Sequence, residues 1–465
     1  MFRVMRSSPR FSSVYQAVSA AVIWFLILAW AASAGAGITA NVKTETLPNG
    51  LKVLVLENHK APVATLSVFY KVGSRNEQVG KTGISHLCEH LMFRGTKTLG
   101  PEQFSKIIQE NGGTDNAFTT ADFTDYFEII NARNLDVPIK LESDRMANFD
   151  PKGFKAEKAV VMEERRLRTE DNPEDALYEI TKAQAYVEYP YHWPVIGWMN
   201  DIRHLTLKDA LAYHAMYYSP RNSIVVAVGD FNAAEVLKEI SEAFGSIKNG
   251  PEAPPFTQTE QEQKGERRVM LEHAANLPAF DISYHVPNLR SPDAYAIEIA
   301  GEVLGDGKSS RLYQDLVTNK QMVVDVNVDY DMTSFGPPLF TVSAQMRPGI
   351  KAKDVIAEVE KQLAELRDKP VSAEELQKSK NLEQAEFVFG EDSIFQQAML
   401  LGVYQMLGDY RMVDQYIPNI DKVTVADVQR VARRYFVKSN RTVGILVPTG
   451  LLPHEAAGGK QGMVR

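Results

Sequence analysis

The sequence predicts two homologous domains of the α/β class (α+β type), and three observations support this. The length of 465 residues suits two large domains, since domains usually hold about 100–200 residues. A segment of the first half recurs in the second half. Residues 249–265 (NGPEAPPFTQTEQEQKG) contain three prolines and few apolar side chains, which is typical of a linker. The predicted division is a signal peptide over 1–36, a first domain over 37–248, a linker over 249–265 and a second domain over 266–465.

The repeat is clearest near the end of each half. LTLKDALAYHAMYYSPRNSIVVAVGD matches VTVADVQRVARRYFVKSNRTVGILVPTG, with Asn222 opposite Asn440, 218 positions later. Nearer the start of each half, ISHLCEHL over 84–91 falls opposite IEIAGEVL over 297–304, 213 positions later. Two similar offsets in the same order indicate a duplicated domain of a little over 200 residues, roughly the spacing of these matches.

The N-terminus has the pattern of an export signal. Arg3, Arg6 and Arg10 precede an apolar run over 20–32, and small residues in the A-x-A pattern follow over 32–36. The alternative is an uncleaved signal anchor, for which this run is short. We therefore expect a periplasmic or otherwise exported protein, with a membrane anchor as the alternative.

Composition and charge exclude several classes of protein. Hydrophobic residues make up 44% of the chain, which is enough for large buried cores and excludes a disordered protein. The net charge of −8 argues against nucleic acid as the main partner, because phosphate binding needs a basic face. The single cysteine, Cys88, excludes an internal disulfide and a cysteine-based metal cage.

Local patterns predict the elements of the first domain in order. Alternating residues over 42–58 around Pro48-Asn49-Gly50 predict a β-hairpin. Helical spacing over 83–93 ends before a glycine, and Pro101 begins another helix that stops at Asn111. The remaining predictions are strands over 63–72, 118–130 and 223–228, and helices over 135–148, 155–169 and 207–218.

The residues that can carry chemistry are His86, Glu89 and His90, in the sequence H-L-C-E-H. On a helix, positions i and i+4 share one face, so the two imidazoles can bind one zinc ion. Glu89 can then act on a water molecule without being a ligand, the inverted H-x-x-E-H arrangement. The alternative is a chance placement on a helix. The repeat puts Ile299 and Val303 at the two histidine positions, so only the first half can bind metal there.

A catalytic zinc site needs a third protein ligand and one open position. The candidates lie in FKAEKAVVMEERRLRTEDNP. Glu157 and Glu164 are seven positions apart and share a helix face, whereas Glu163 points elsewhere. Taken alone, the acidic and basic residues of this segment also fit a solvated charged face.

These motifs resemble the pitrilysin-type (M16) metallopeptidases, above all the bacterial branch that is similar to the mitochondrial processing peptidase. In that family H-x-x-E-H is followed by a helix with the pattern E-x-x-V-x-x-x-E, here Glu157 to Glu164. The resemblance implies that Glu164 is the third zinc ligand and that Glu157 supports the site. It also implies two homologous domains, each a mostly antiparallel sheet with packed helices. Other similar segments are GGTDNAFTTADFTDYF, EDNP, PVIGW and GKSSRLYQDL.

The resemblance implies an exported zinc-dependent endopeptidase with one Zn²⁺ per chain and Glu89 as general base. Its substrate would be a peptide or unfolded segment, held extended as an added strand. Asn116 and Ala117 fall in the family's substrate-binding segment, although Asn116 also fits a residue that caps the next strand. The alternative is a non-catalytic M16-like scaffold or assembly subunit, in which H-x-x-E-H is typically incomplete.

The resemblance also bears on partners. In many members the second domain supplies an Arg and a Tyr that bind substrate, yet residues 312–346 contain no Arg here. The Tyr position falls at 333–335, and Tyr330 is out of register. We therefore expect a hetero-oligomer with a sister M16 subunit that supplies the pair, or a homodimer.

Overall fold

The computed structural model describes residues 37–450. The predicted signal peptide over 1–36 lies outside the described residues, and so does the segment over 451–465. Within 37–450, no helix combines the length and the apolar character that crossing a lipid bilayer requires.

The first half begins with three strands and ends with a strand followed by a helix. Its strands are β1 (Lys43–Thr46), β2 (Lys52–Glu57), β3 (Val63–Tyr70), β4 (Thr114–Thr119), β5 (Thr124–Asn131) and β6 (Ser223–Gly229). Its helices are α1 (Ile84–Met92), α2 (Gln103–Glu110), α3 (Asp136–Ala147), α4 (Phe154–Arg165), α5 (Pro173–Ala185), α6 (Met199–His204), α7 (Leu207–Tyr217) and α8 (Ala233–Phe244).

The second half has a similar order, but it begins with two strands and its last described element is a strand. Its strands are β7 (Arg267–Ala274), β8 (Ala279–His285), β9 (Val323–Tyr330), β10 (Leu339–Met346) and β11 (Arg441–Gly450). Its helices are α9 (Asp293–Leu304), α10 (Ala352–Asp368), α11 (Ala373–Gly390), α12 (Ile394–Leu407), α13 (Tyr416–Lys422) and α14 (Val425–Tyr435).

Each half contains one sheet. The first has the order β1-β2-β6-β3-β5-β4 and the second the order β7-β11-β8-β10-β9. Every neighbouring pair is antiparallel except β2 with β6 and β7 with β11, which are parallel. The two parallel pairs occupy equivalent places in the two sheets. This confirms the predicted fold class of two homologous units with mostly antiparallel sheets.

Each half also covers the outer face of the other half's sheet with one helix. From the second half, α12 packs Ala398 and Leu401 against the outer face of the first sheet. From the first half, α5 packs Leu177 against Leu446 of β11. A Cβ atom on Gly444 would lie 1.9 Å from Thr181 Oγ1, so the close approach of α5 to β11 needs a glycine there. The two halves are therefore tied together by an exchange of helices.

One predicted strand, over 118–130, is wrong. The structure has two strands here, β4 and β5, paired as a hairpin with Thr119 opposite Thr124. The turn contains neither Gly nor Pro. Instead, the Thr120 hydroxyl accepts hydrogen bonds from the backbone N–H groups of Asp122 and Phe123, both at 3.0 Å. A threonine side chain therefore makes a turn that composition does not signal.

The segment over 249–265 contains neither helix nor strand. It is nevertheless held to the first half, because Glu260 accepts backbone N–H hydrogen bonds from Val187, Glu188 and Tyr189 at 2.9–3.1 Å. This segment leads directly into β7.

Candidate metal centre

The two faces of α1 have opposite environments. His86, Glu89 and His90 face a cleft, where they are half-buried or buried. The opposite face lies in the core of the first half and consists of Leu87, Cys88 and Leu91. Packing of this apolar face fixes the rotation of the helix and aims the polar face into the cleft.

The start of α1 is fixed by two residues that precede it. Gly83 has φ +84°, and a Cβ there would lie 2.4 Å from the carbonyl oxygen of Ile196. The buried Glu77 carboxylate accepts hydrogen bonds from the backbone N–H groups of Gly83 at 2.7 Å and Ser85 at 2.8 Å. These contacts satisfy N–H groups that the first turn of a helix leaves unpaired.

The second element of the site is α4, which begins after Gly153. Val161 anchors it in the core, and Arg165 makes two hydrogen bonds to Glu179 of α5, at 2.9 and 2.8 Å. On the cleft side lie Glu157 and Glu164, two turns apart. The shared face that their spacing predicts is therefore present.

Three donor groups converge between α1 and α4. Glu164 Oε2 lies 3.6 Å from His86 Nε2 and 3.3 Å from His90 Nε2. The ligand atoms of the three residues all lie within 4.8 Å of one another. A tetrahedral zinc ion with bonds of about 2.0–2.1 Å places its ligand atoms about 3.3–3.4 Å apart. The separations and the N, N, O donor set therefore fit zinc.

Two of these donors, His90 and Glu164, also contact neighbouring residues on the side away from the convergence point. Glu157 Oε1 lies 2.9 Å from His90 Nδ1, and its other oxygen pairs with Arg94 Nε at 3.3 Å. Arg168, on a π-helical turn after α4, lies 3.1 Å from Glu164 Oε1. Each contact engages an atom that faces away from the convergence point. His90 therefore presents Nε2, and Glu164 presents Oε2.

The pKa directions follow from burial and from these contacts. Burial lowers the pKa of His90, but hydrogen bonds with Glu157 and Glu164 outweigh it and raise that pKa to about 9. Burial and the neighbouring His90 lower the pKa of His86 to about 4. Burial raises the pKa of Glu89, opposed by a hydrogen bond from the Thr119 hydroxyl at 2.5 Å.

The cleft also contains the predicted substrate residues. Its volume is about 800 Å³, and Asn116 and Ala117 of β4 line it together with the residues above. Because β4 is the edge strand of the first sheet, one side of it is free of strand neighbours. The Ala117 N–H is engaged by the Asn116 side-chain oxygen at 2.9 Å rather than by β5. All seven residues singled out from the sequence line this cleft, and their roles stay predictions.

Sequence reasoning missed three residues of the site. Arg94 and Arg168 lie four positions after His90 and Glu164, a spacing that could have suggested them. Thr119 reaches Glu89 from β4, and no local pattern of the sequence signals that contact.

Comparison with known proteins shows the family to which the chain belongs. The family profile described as Insulinase (Peptidase family M16) matches residues 52–197, and the profile described as Peptidase M16 inactive domain matches residues 204–383. A Helicobacter pylori protein named zinc protease PqqE is 36% identical over 410 residues, which is 87% of this chain and 92% of that protein. The chain belongs to peptidase family M16.

The chain is also similar to other proteins and solved structures. A crystal structure described as a protease from Helicobacter pylori has a TM-score of 0.84 at 35% identity, covering 88% of this chain and 99% of that one. A Mycobacterium leprae protein named as an uncharacterized zinc protease is 28% identical, over 86% of this chain and 90% of that protein. A Pseudomonas fluorescens structure described as a peptidase M16 inactive domain has a TM-score of 0.79 at 17% identity, covering 88% of this chain and 99% of that one, and shows the fold alone.

Proposed function

We propose that this M16 chain is a zinc-dependent endopeptidase that hydrolyses peptides or unfolded polypeptide segments. The observation that carries the proposal is the convergence of His86, His90 and Glu164, with Glu89 in the same cleft. Similarity to proteins named zinc proteases supports it.

His86, His90 and Glu164 would hold one Zn²⁺ through two imidazole nitrogens and one carboxylate oxygen. When bound, the ion supplies Lewis-acid chemistry, which polarises a carbonyl and lowers the pKa of water to about 7. Three protein ligands leave one coordination position open, as zinc catalysis requires.

Glu89 is positioned to move the proton. It is 9% exposed, and burial raises the pKa of its carboxyl toward the range in which a general base works at neutral pH. The Thr119 hydroxyl holds one oxygen, Oε2, and leaves the other free to accept a proton from the attacking water. Glu89 then gives this proton to the leaving amine.

The substrate would bind as an added strand beside β4. An extended peptide pairs through its backbone, so such binding tolerates many sequences. The Ala117 N–H is already directed away from β5, and a substrate carbonyl would replace the Asn116 side chain as its acceptor. Asn116 would then be free to contact the peptide.

A second subunit is part of this proposal. Tyr330 donates its hydroxyl to Pro287 O at 2.6 Å, and the Phe335 N–H is bound by Asp122 at 3.0 Å. The Tyr330 hydroxyl and the Phe335 backbone are thus both engaged in contacts within the chain. We propose that a sister M16 chain, or a second copy of this chain, supplies the missing substrate contacts. Gel filtration with light scattering tests this, and a monomer with full activity would refute it.

The experiment on the metal compares two neighbouring glutamates. Glu164→Ala removes a converging donor, whereas Glu163→Ala removes an exposed side chain that contacts Arg166. We expect Glu164→Ala to lose zinc in elemental analysis and to stop cleaving a quenched peptide library, and Glu163→Ala to keep both. Full zinc content in Glu164→Ala would place the third ligand elsewhere. Zinc binding without any chelator-sensitive cleavage would favour the scaffold alternative.

A further inference from the structure

The second half contains a cluster of carboxylates between α9 and α11. Glu298 and Glu302 lie one turn apart on α9, Asp306 follows this helix, and Glu383 and Glu386 lie one turn apart on α11. The carboxylate oxygens of Glu302, Asp306 and Glu386 lie within 4.8 Å of one another. We call these five residues the acidic cluster.

The acidic cluster lies where the repeat would place a metal centre. By the offset that sets Ile299 opposite His86, Glu302 stands opposite Glu89. In each half, two helices follow the edge hairpin before the exchanged helix, and α11 is the second of these, as α4 is in the first half. Since α9 packs on α11 as α1 packs on α4, the cluster occupies the counterpart of the site built by α1 and α4.

Two carboxylates of the acidic cluster, Glu298 and Glu302, each have a buried oxygen that no hydrogen bond satisfies. The Glu302 side chain is buried, and its Oε2 and that of Glu298 are shielded from water without a hydrogen-bond partner. The charged groups that act on Glu298 and Glu302 are all carboxylates. A buried ionised carboxylate that lacks a partner is strongly disfavoured, so such a group binds a cation or keeps a proton.

We propose that the acidic cluster binds one Ca²⁺ ion through Glu302, Asp306 and Glu386, with Glu298 and Glu383 adding negative charge. An all-carboxylate donor set selects hard cations over zinc. Calcium takes six to eight oxygen ligands at about 2.3–2.6 Å in adaptable geometry, so oxygens up to about 5 Å apart can share one ion. The ion ties α9 to α11 and stabilises the second half.

The test measures calcium binding without using activity. The full chain is stripped of metal and reloaded with one equivalent of zinc before Ca²⁺ is added. We expect Ca²⁺ at a hundredfold excess over its Kd to raise the thermal midpoint by roughly 5 °C or more. We expect Tb³⁺ to bind at one site with luminescence sensitised by tyrosine, since Tyr416 is hydrogen-bonded to Glu383.

Variants on the same helix separate this site from incidental binding. Glu386 is exposed, so Glu386→Gln should fold and should lose the Ca²⁺ shift and the Tb³⁺ signal. Glu374→Gln, an exposed residue in the first turn of α11, should keep both. If the carboxylates keep protons instead, Ca²⁺ will not shift the thermal midpoint of the unmodified chain, which overturns the proposal. A shift that persists in both Glu386→Gln and Glu302→Gln overturns it as well.

Discussion

The two halves of this chain share a scaffold and differ in what lines its centre. In the first half, His86 and His90 have side chains 12% and 21% exposed, and they face a cleft. In the second half, Ile299 and Val303 take the same positions on α9, and they are 0% and 3% exposed within the core. The two halves thus share their backbone arrangement, but these two helix positions face a cleft in the first half and the core in the second half. The fold alone therefore does not confer the chemistry, which depends on which side chains line the gap.

The largest effect is expected for Glu89→Gln, because Glu89 lies between the two histidines that the second half lacks. The amide keeps the shape of the side chain but cannot accept the proton. Turnover of a peptide substrate should fall by about 10²–10⁴-fold, with zinc content unchanged. Elemental analysis and steady-state kinetics measure both quantities, with Glu163→Gln as the control. Undiminished turnover would mean that another residue is the base.

The candidate zinc site of the first half was predictable from the sequence because its residues follow helical spacing. His86, Glu89 and His90 form a local motif, and Glu157 and Glu164 share a face by their separation alone. The pairing of α1 with α4 was not predictable from spacing, because it depends on long-range packing. Only the family resemblance selected Glu164 from the acidic residues of α4. Arg94 and Arg168 lay at helical spacing from the ligands and were still missed, because charged residues on such faces are usually solvated.

Local sequence patterns predicted the elements of the fold, but not all of its turns and long-range contacts. Most helices and strands of the first half follow from periodicity and from Gly and Pro signals. The β4–β5 turn was missed because a Thr120 hydroxyl makes it. The exchange of α5 and α12 was also not predictable, because the sequence shows an apolar face but not which sheet it covers.

A second test introduces a histidine into the closed half. Val303→His places an imidazole in a packed core, where it is oversized and has no cleft to face. We expect the free energy of unfolding to fall by about 2–4 kcal/mol. Urea denaturation measures this, with Val324→His, at a valine 45% exposed, as a control expected to change it by less than about 0.5 kcal/mol. A stable Val303→His variant would show that the second half is not closed.

A third test concerns Glu157, which contacts the His90 imidazole on the nitrogen that faces away from the candidate zinc site. Glu157→Gln weakens the hydrogen bond to His90 Nδ1 and removes the ion pair with Arg94. Zinc affinity should fall by about 10–100-fold, as measured by competition with a chromophoric chelator, while Glu163→Gln should leave it unchanged. An unaltered Kd in Glu157→Gln would show that α1 packing alone orients the imidazole.

The smallest effect is expected for a feature that the two halves share, the threonine that caps the helix before the last strand of each sheet repeat. Thr206 is the N-cap of α7 and Thr424 is the N-cap of α14, each in a capping box with an aspartate three positions later. The distances agree: each threonine hydroxyl lies 3.2 Å from that aspartate's N–H, and each threonine N–H lies 3.0 Å from its carboxylate.

Replacing either threonine by alanine should therefore lower the free energy of unfolding by about 1 kcal/mol, as measured by urea denaturation. The double variant should show the sum of the two single effects, since the caps share no partner. Serine at either position should restore most of the loss, because its hydroxyl can make the same hydrogen bond. If one substitution lowers the free energy of unfolding far more than the other, the two halves are not equally stabilised by their helix caps. The difference between the halves would then extend beyond the side chains that line their centres.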